Sequence, residues 1–182
     1  MSLRHAILTA LLEKPGSGAE LARRFDRSFG FFWPATHQQI YRELGVLERD
    51  GMVRSTGRGS SRGRAKDYEV LPAGRSELAD WTGRQQDPRP VREELMIRLR
   101  ASAVLGAPDI GPELRRHVEL HRRQLRTYLD LKERTFPPGR TGSTSRAGDT
   151  GRGSRLQRAV LEAGIVFEQA WIEWAEDTLD GL

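Results

Sequence analysis

Between residues 36 and 81 the chain reads T-H-Q-Q-I-Y-R-E-L-G-V-L-E-R-D-G-M-V-R-S, then T-G-R-G-S-S-R-G-R-A, then K-D-Y-E-V-L-P-A-G-R-S-E-L-A-D-W. Ile40, Leu44 and Leu47 recur at helical spacing. A capping box, Thr36 followed three residues later by Gln39, opens that helix, and Asp50-Gly51 stops it. Residues 52–55 and 67–71 have the composition of two short strands. Pro72 suits the first turn of another helix, whose Leu78 and Trp81 can pack back on the core. Helix, hairpin, helix, with arginines at the hairpin tip, is the plan of a winged helix-turn-helix. In that fold one helix enters the major groove of DNA.

Charge supports the same plan locally. The chain has 182 residues, enough for one large domain or two small ones, and 30 Lys+Arg against 25 Asp+Glu give a net charge of +5. Arg54, Arg58, Arg62, Arg64 and Lys66 crowd residues 54–66 without one acid among them. Arginine dominates the basic set, and its planar fork suits phosphate oxygens. Clustering of this kind says more about a polyanion partner than net charge does.

Upstream, residues 3–13 carry Leu3, Ile7, Ala10 and Leu11 at helical spacing with Ser2 as N-cap, and Pro15-Gly16-Ser17-Gly18 breaks the pattern. Residues 19–29 predict a second helix ended by Gly30, and Phe31-Phe32-Trp33-Pro34 an aromatic hinge. Downstream, residues 83–90 are polar and Pro-rich. The expected organisation is a DNA-binding domain over 1–86, a linker over 87–91 and a helical domain over 92–182. Within the latter, residues 92–104, 113–135 and 156–179 have helical periodicity, whereas 137–154 is rich in Gly, Ser, Thr and Arg and predicts disorder. The long helices have narrow apolar seams, with no globular core expected between them. The fold class is therefore mainly α with a small β-hairpin wing: a winged helix-turn-helix followed by a helical dimerisation domain.

Several constellations carry candidate chemistry. The first turns of the 36–50 helix present Thr36, His37, Gln38, Gln39, Tyr41 and Arg42. Gln pairs bidentately with adenine, and Arg with guanine or a phosphate. Tyr41 is suited to a phosphate hydrogen bond with its ring beside the helix. Arg58, Arg62, Arg64 and Lys66 supply backbone positioning that is largely blind to sequence. The glycine-rich loop lacks the G-K-[S/T] ending of a nucleotide cradle. His117 and His121 stand four apart without the rest of a tetrahedral ligand set, and read as surface histidines. On the last helix Leu156, Val160, Ala163, Phe167, Ala170, Trp171 and Trp174 form an apolar seam for a second copy of the chain. Its many carboxylates, Glu168 among them, read as a solvated face. Phe167, Trp171 and Trp174 read as helix-packing core, or as the wall of a pocket for a planar effector.

The chain has no cysteine, which removes disulfides, thiolate nucleophiles and thiolate-bound zinc. Scattered histidines and loop serines offer no catalytic apparatus, so the sequence predicts neither an enzyme nor a bound cofactor. No apolar run approaches a membrane span, and the chain reads as a soluble cytoplasmic protein.

The run I-Y-R-E-L-G-V-L-E-R-D-G-M-V, followed by K-D-Y-E-V-L-P-A-G-R-S-E-L-A-D-W, resembles the PadR family of bacterial transcriptional regulators. Tyr41, Leu44, Leu47, Glu48, Gly51, Tyr68 and Gly74 match its motif positions, while Pro72 replaces the usual Thr before the helix. M-S-L-R-H-A-I-L-T-A-L-L, F-G-F-F-W and Q-A-W-I-E-W-A are similar to the AphA-like branch, which carries a helical C-terminal domain. The resemblance covers most of the chain apart from 137–154. It implies a homodimer whose C-terminal helices embrace the partner, with the N-terminal helix of one subunit helping to join the two. Each wing would then read half of a pseudo-palindromic operator. Two other readings stay open: a regulator switched by a small planar effector, and a winged-helix module that binds protein rather than DNA.

Overall fold

Burial in the N-terminal helices follows helical spacing, with Ile7, Leu8, Leu11, Ile40, Leu44 and Leu47 all covered. A computed structural model describes residues 3–27, 33–57, 66–88, 90, 92–106, 109–137 and 151–182. The chain divides into two compact units, Met1–Arg89 and Pro90–Leu182. In the first, α1 (Leu3–Glu13) buries Ile7, Leu8, Ala10 and Leu11. Two residues, Gly16–Ser17, form β1, and α2 (Gly18–Arg27) follows at once. Then come α3 (His37–Arg49), β2 (Val53–Gly57), β3 (Lys66–Val70) and α4 (Pro72–Gly83). Leu21, Ala22 and Phe25 of α2, Ile40, Leu44 and Leu47 of α3, and Val53 complete one core with α1.

The expected hairpin is the outer part of a three-stranded antiparallel sheet in the order β1-β3-β2. Val53 pairs with Val70 and Gly57 with Lys66, while Gly16 and Ser17 pair with Tyr68 and Asp67. What the sequence reads as a mere break between two helices is thus also an edge strand. Ser17 caps α2: its backbone N–H and hydroxyl donate to Glu20 Oε2 at 2.7 and 2.9 Å, and its Oγ accepts from the Glu20 N–H at 3.3 Å. That reciprocal cap starts α2 one residue earlier than expected.

The exit of α3 is equally local. Gly51 takes φ 69°, a conformation open to glycine, and the Met52 N–H returns to the Leu47 carbonyl at 2.9 Å. Gly74 lets α4 lie directly against the sheet, because a Cβ there would collide with the Met52 carbonyl and sit 2.9 Å from Val70 Cγ1. The ring of His5 stacks on Trp81 at 4.3 Å, and its Nε2 meets Glu77 at 3.0 Å. This ties α1 to α4. Arg4 ties α1 to α3 through Glu43 and Asp50.

The second unit is helical: α5 (Glu94–Leu105), α6 (Gly111–Thr135) and α7 (Gly151–Asp180). Contrary to expectation, its helices do enclose a core, though a small one. Leu95, Ile110, Leu114, Val118 and Ala175 are its buried members, with Leu99, Trp171, Ile172, Trp174 and Leu179 packed against them. Further along, Gly164 of α7 admits the Tyr128 ring of α6, which a Cβ would meet at 3.1 Å. A second correction concerns residues 151–154, which are helical rather than disordered. Extending an existing helix upstream orders one residue per hydrogen bond, so the apolar pattern beyond Leu156 can carry these polar residues with it. Residues 138–150 lie outside the described residues. So do Ser2, Phe29, Gly30, Phe31 and Phe32 among the expected caps and hinge positions. No helix among the described residues is long and apolar enough to cross a membrane.

Candidate nucleic-acid interface

The amphipathic pattern of α3 divides its residues cleanly. Ile40, Leu44 and Leu47 are fully buried, while Thr36, His37, Gln38, Gln39, Tyr41 and Arg42 are all exposed. Hydrogen bonds within the fold already engage three of those six. Thr36 Oγ1 accepts from the Gln39 N–H at 3.2 Å, and Gln39 Oε1 accepts from the Thr36 N–H at 2.8 Å. The capping box therefore occupies Thr36 Oγ1 and Gln39 Oε1, leaving the Gln39 amide NH2 to point elsewhere. His37 Nε2 meets Asp26 Oδ2 of α2 at 3.0 Å. Among the described residues, Gln38 and Arg42 have no such internal tie on this face.

A polar joint holds the foot of the wing against α3. Glu48 Oε1 accepts from the Ser55 backbone N–H at 3.2 Å and from the Ser55 hydroxyl. Its other oxygen lies 4.0 Å from Lys66 Nζ. The Ser55 hydroxyl holds the Glu48 carboxyl below its ordinary range, and Lys66 adds to this, so Glu48 stays ionised at neutral pH. Burial pushes the Tyr68 hydroxyl up, reinforced by Glu48 and Tyr41. Lys66 is exposed at the start of β3, and Arg54 of β2 pairs across the hairpin with Glu69. Arg58, Arg62 and Arg64 fall outside the described residues. Glu48 is the residue that reading for DNA contacts passed over. Its signal was a carboxylate in the last turn of α3, a few residues before the strand whose serine it binds.

On α7 the structure separates two seams. Ile165, Glu168 and Ala175 are buried, and Leu161, Ile172 and Leu179 are half-buried at the same three- and four-residue steps. Leu156, Val160, Ala163, Phe167 and Ala170 are exposed. Residues 165 and 167 differ by about 200° around a helix, so these seams face nearly opposite ways. Trp171 and Trp174 belong instead to the inward packing, edge to face at 4.9 Å. Phe167 remains at the rim, 55% exposed and 6.3 Å from Trp171.

Two expectations fail here. Glu168 is not solvated: it is 6% exposed and accepts a short hydrogen bond from His121 Nδ1 at 2.5 Å. His121 is not a free surface histidine either, because its ring stacks on Trp171 at 5.1 Å and 9°. Both errors have one cause. Glu168 occupies a position of the inward seam where an apolar residue belongs, and a buried carboxylate requires a partner. Among the described residues no group of three His, Asp or Glu side chains could hold a metal ion.

Comparison with known proteins places both units. Residues 7–80 match the transcriptional regulator PadR-like family, and residues 91–182 match the virulence activator alpha C-term family. The probable transcriptional regulator Rv1176c of Mycobacterium tuberculosis is 35% identical over 100% of this chain and 98% of its own length. The virulence activator AphA of Vibrio cholerae has a similar structure, with TM-score 0.74, 30% identity, and 99% and 97% of the two chains covered. Bacillus subtilis PadR in complex with operator DNA shares the fold at TM-score 0.82 and 24% identity, over 100% and 98% of the chains. The same protein with p-coumaric acid gives 0.72 and 26%, over 97% and 93%. The chain belongs to the PadR-like family of transcriptional regulators, with a virulence-activator-type helical domain as its second half.

Proposed function

We propose that this regulator binds a pseudo-palindromic operator as a homodimer, each winged helix reading one half-site. The observation that carries the DNA reading is the exposed polar face of α3, with the wing foot anchored at its far end by Glu48. Gln38 and Arg42 read base edges. The His37 ring and the Gln39 amide assist. Tyr41, Lys66 and the wing residues Arg58, Arg62 and Arg64 hold phosphates. That a B. subtilis relative of the same fold was solved with operator DNA supports DNA as the partner.

The homodimer rests on the outward seam of α7. Leu156, Val160, Ala163, Phe167 and Ala170 repeat at coiled-coil steps, and Leu156, Val160 and Phe167 are each more than half exposed. A contiguous apolar strip of this kind marks an interaction site. Selection of binding sites from random DNA tests the whole reading. The expected motif is an inverted repeat with half-sites one helical turn, about 34 Å, or a multiple of it apart. An asymmetric motif would remove the dimer, and no enrichment would remove the DNA reading.

A second reading adds an effector. Phe167 stands exposed beside Trp171, and one relative has been solved with p-coumaric acid, a planar aromatic acid. A ligand of that kind must favour one of two conformations to change operator affinity. Quenching of tryptophan fluorescence by p-coumaric acid, with a matching shift in operator affinity, is the expected signature. Quenching without that shift would leave the regulator effector-free.

A further inference from the structure

We infer that Gly18 is a positioning residue for DNA binding, its bare α-carbon setting where the Tyr41 ring lies on the interface; this rests on the DNA reading above. Gly18 opens α2, immediately after the capping Ser17. Its backbone is not left-handed, since the positive-φ glycines of the described residues are Gly51 and Gly106. Conformational need therefore does not explain a glycine here. Space does. A Cβ at Gly18 would stand 2.5 Å from Tyr41 Cε1, 3.2 Å from Cδ1 and 3.3 Å from Cζ. Those atoms form one side of the ring, ending at the carbon that bears the hydroxyl. The Tyr41 ring thus lies along the start of α2, as close as a hydrogen-only residue permits.

The ring is also a joint between parts. Tyr41 stands on α3 and its edge rests on α2. Gly16, two residues before Gly18, pairs with Tyr68 of the central strand. Tyr41 is 48% exposed, so a methyl group at position 18 could swing it into solvent without opening the core. The hydroxyl would then leave the place from which it meets a phosphate. Alanine at the first position of a helix otherwise favours folding over glycine. The substitution should therefore move stability and DNA affinity in opposite directions, which no purely structural role predicts.

The test is a double-mutant cycle on the full chain with its selected operator, reading thermal midpoint and affinity together. Gly18→Ala is expected to keep or raise the midpoint and to weaken operator binding about tenfold, the scale of one hydrogen bond to a charged group. Tyr41→Phe should lose a similar factor, and Gly18→Ala should add nothing in a Tyr41→Ala background. Wild-type affinity for Gly18→Ala, or an undiminished loss on top of Tyr41→Ala, would overturn the inference. Should Gly18→Ala unfold, recovery of folding in Gly18→Ala/Tyr41→Ala would still support the collision, and failure to recover would refute it. A wild-type chain that binds no DNA would remove the underlying reading, an outcome visible before any variant is made.

Discussion

The two halves of the chain satisfy their apolar surface in different ways. The N-terminal unit buries eleven apolar residues in one core, and among its described residues Tyr41 is the exposed large apolar side chain. The C-terminal unit buries five in its core cluster and exposes a long series, including Ile97, Val104, Leu105, Leu156, Val160, Val166 and Phe167. Among the described residues the first half covers nearly all of its apolar surface, and the second leaves an apolar strip exposed of the kind that marks an interaction site. The proposed homodimer would use this division, with the reading heads keeping their shape while the helical arms join the two copies.

The largest expected effect comes from poisoning the outward seam. Val160→Asp places a charge on a half-exposed position, so the subunit should keep its helicity and lose its partner. Losing the linked second half-site should weaken operator binding by about 10²–10⁴-fold. Light scattering would report a monomer, and mobility shift would report the loss. A Val160→Asp monomer that still bound the full operator with wild-type affinity would dissolve the contrast between the halves. Leu44→Ala attacks the complete half instead. Leu44 is fully buried beneath the reading face, and its truncation should cost about 2–5 kcal/mol. Chemical denaturation should show the loss, while subunit association through the C-terminal arms persists.

The contrast also explains what could be read in advance. The helices and strands between Thr36 and Trp81 were legible because their signals are local: a capping box, a 3–4 apolar repeat, a glycine exit, a proline entry. The apolar positions Leu156, Val160, Ala163, Phe167 and Ala170 on α7 were legible for the same reason, but Trp171 and Trp174 read as part of their seam although they pack inward. The inward seam was not legible, because Glu168 interrupts it, and only the pairing with His121 across two helices makes that carboxylate tolerable. Two-residue β1 has no periodicity to detect; its pairing with Tyr68 and Asp67 is set from fifty residues away. Thr36 and Gln39 were visible both as a cap and as base readers. One amide oxygen cannot fill both roles at once, and geometry assigns it to the cap.

Within the reading half, the wing and the helix should fail differently. Gln38→Ala should lower affinity by about 1–3 kcal/mol on the selected operator and relax preference at one base pair. Arg62→Ala and Arg64→Ala should weaken all sequences alike and reduce the salt dependence by about one phosphate contact each. Titrations on operator and random DNA at several salt concentrations separate them. Equal losses on both DNAs for Gln38→Ala would place that residue on the backbone and move the reading role to Arg42.

The smallest effect sharpens the comparison from the arm's side. Glu113 of α6 bonds Arg116 on its own helix and reaches Arg98 of α5 at 3.0 Å, and these guanidiniums, Arg116 foremost, hold its carboxyl down to about 2. An unfolded glutamate titrates near ~4.3. The depressed value means that the folded arm binds the Glu113 proton less readily than the unfolded chain does. Its contribution to stability is therefore complete above the unfolded value and fades as pH falls from there toward 2. The pair is at the surface and screened, so the change should be slight and should shrink with salt. Comparing Glu113→Gln with wild type isolates it from the other carboxylates. The wild-type advantage in thermal midpoint at pH 6 should narrow by pH 3 and be smaller in 1 M salt. An advantage that grew on acidification would mean that Glu113 is held by packing rather than by its arginines. The α5–α6 junction would then be as self-sufficient as the reading head.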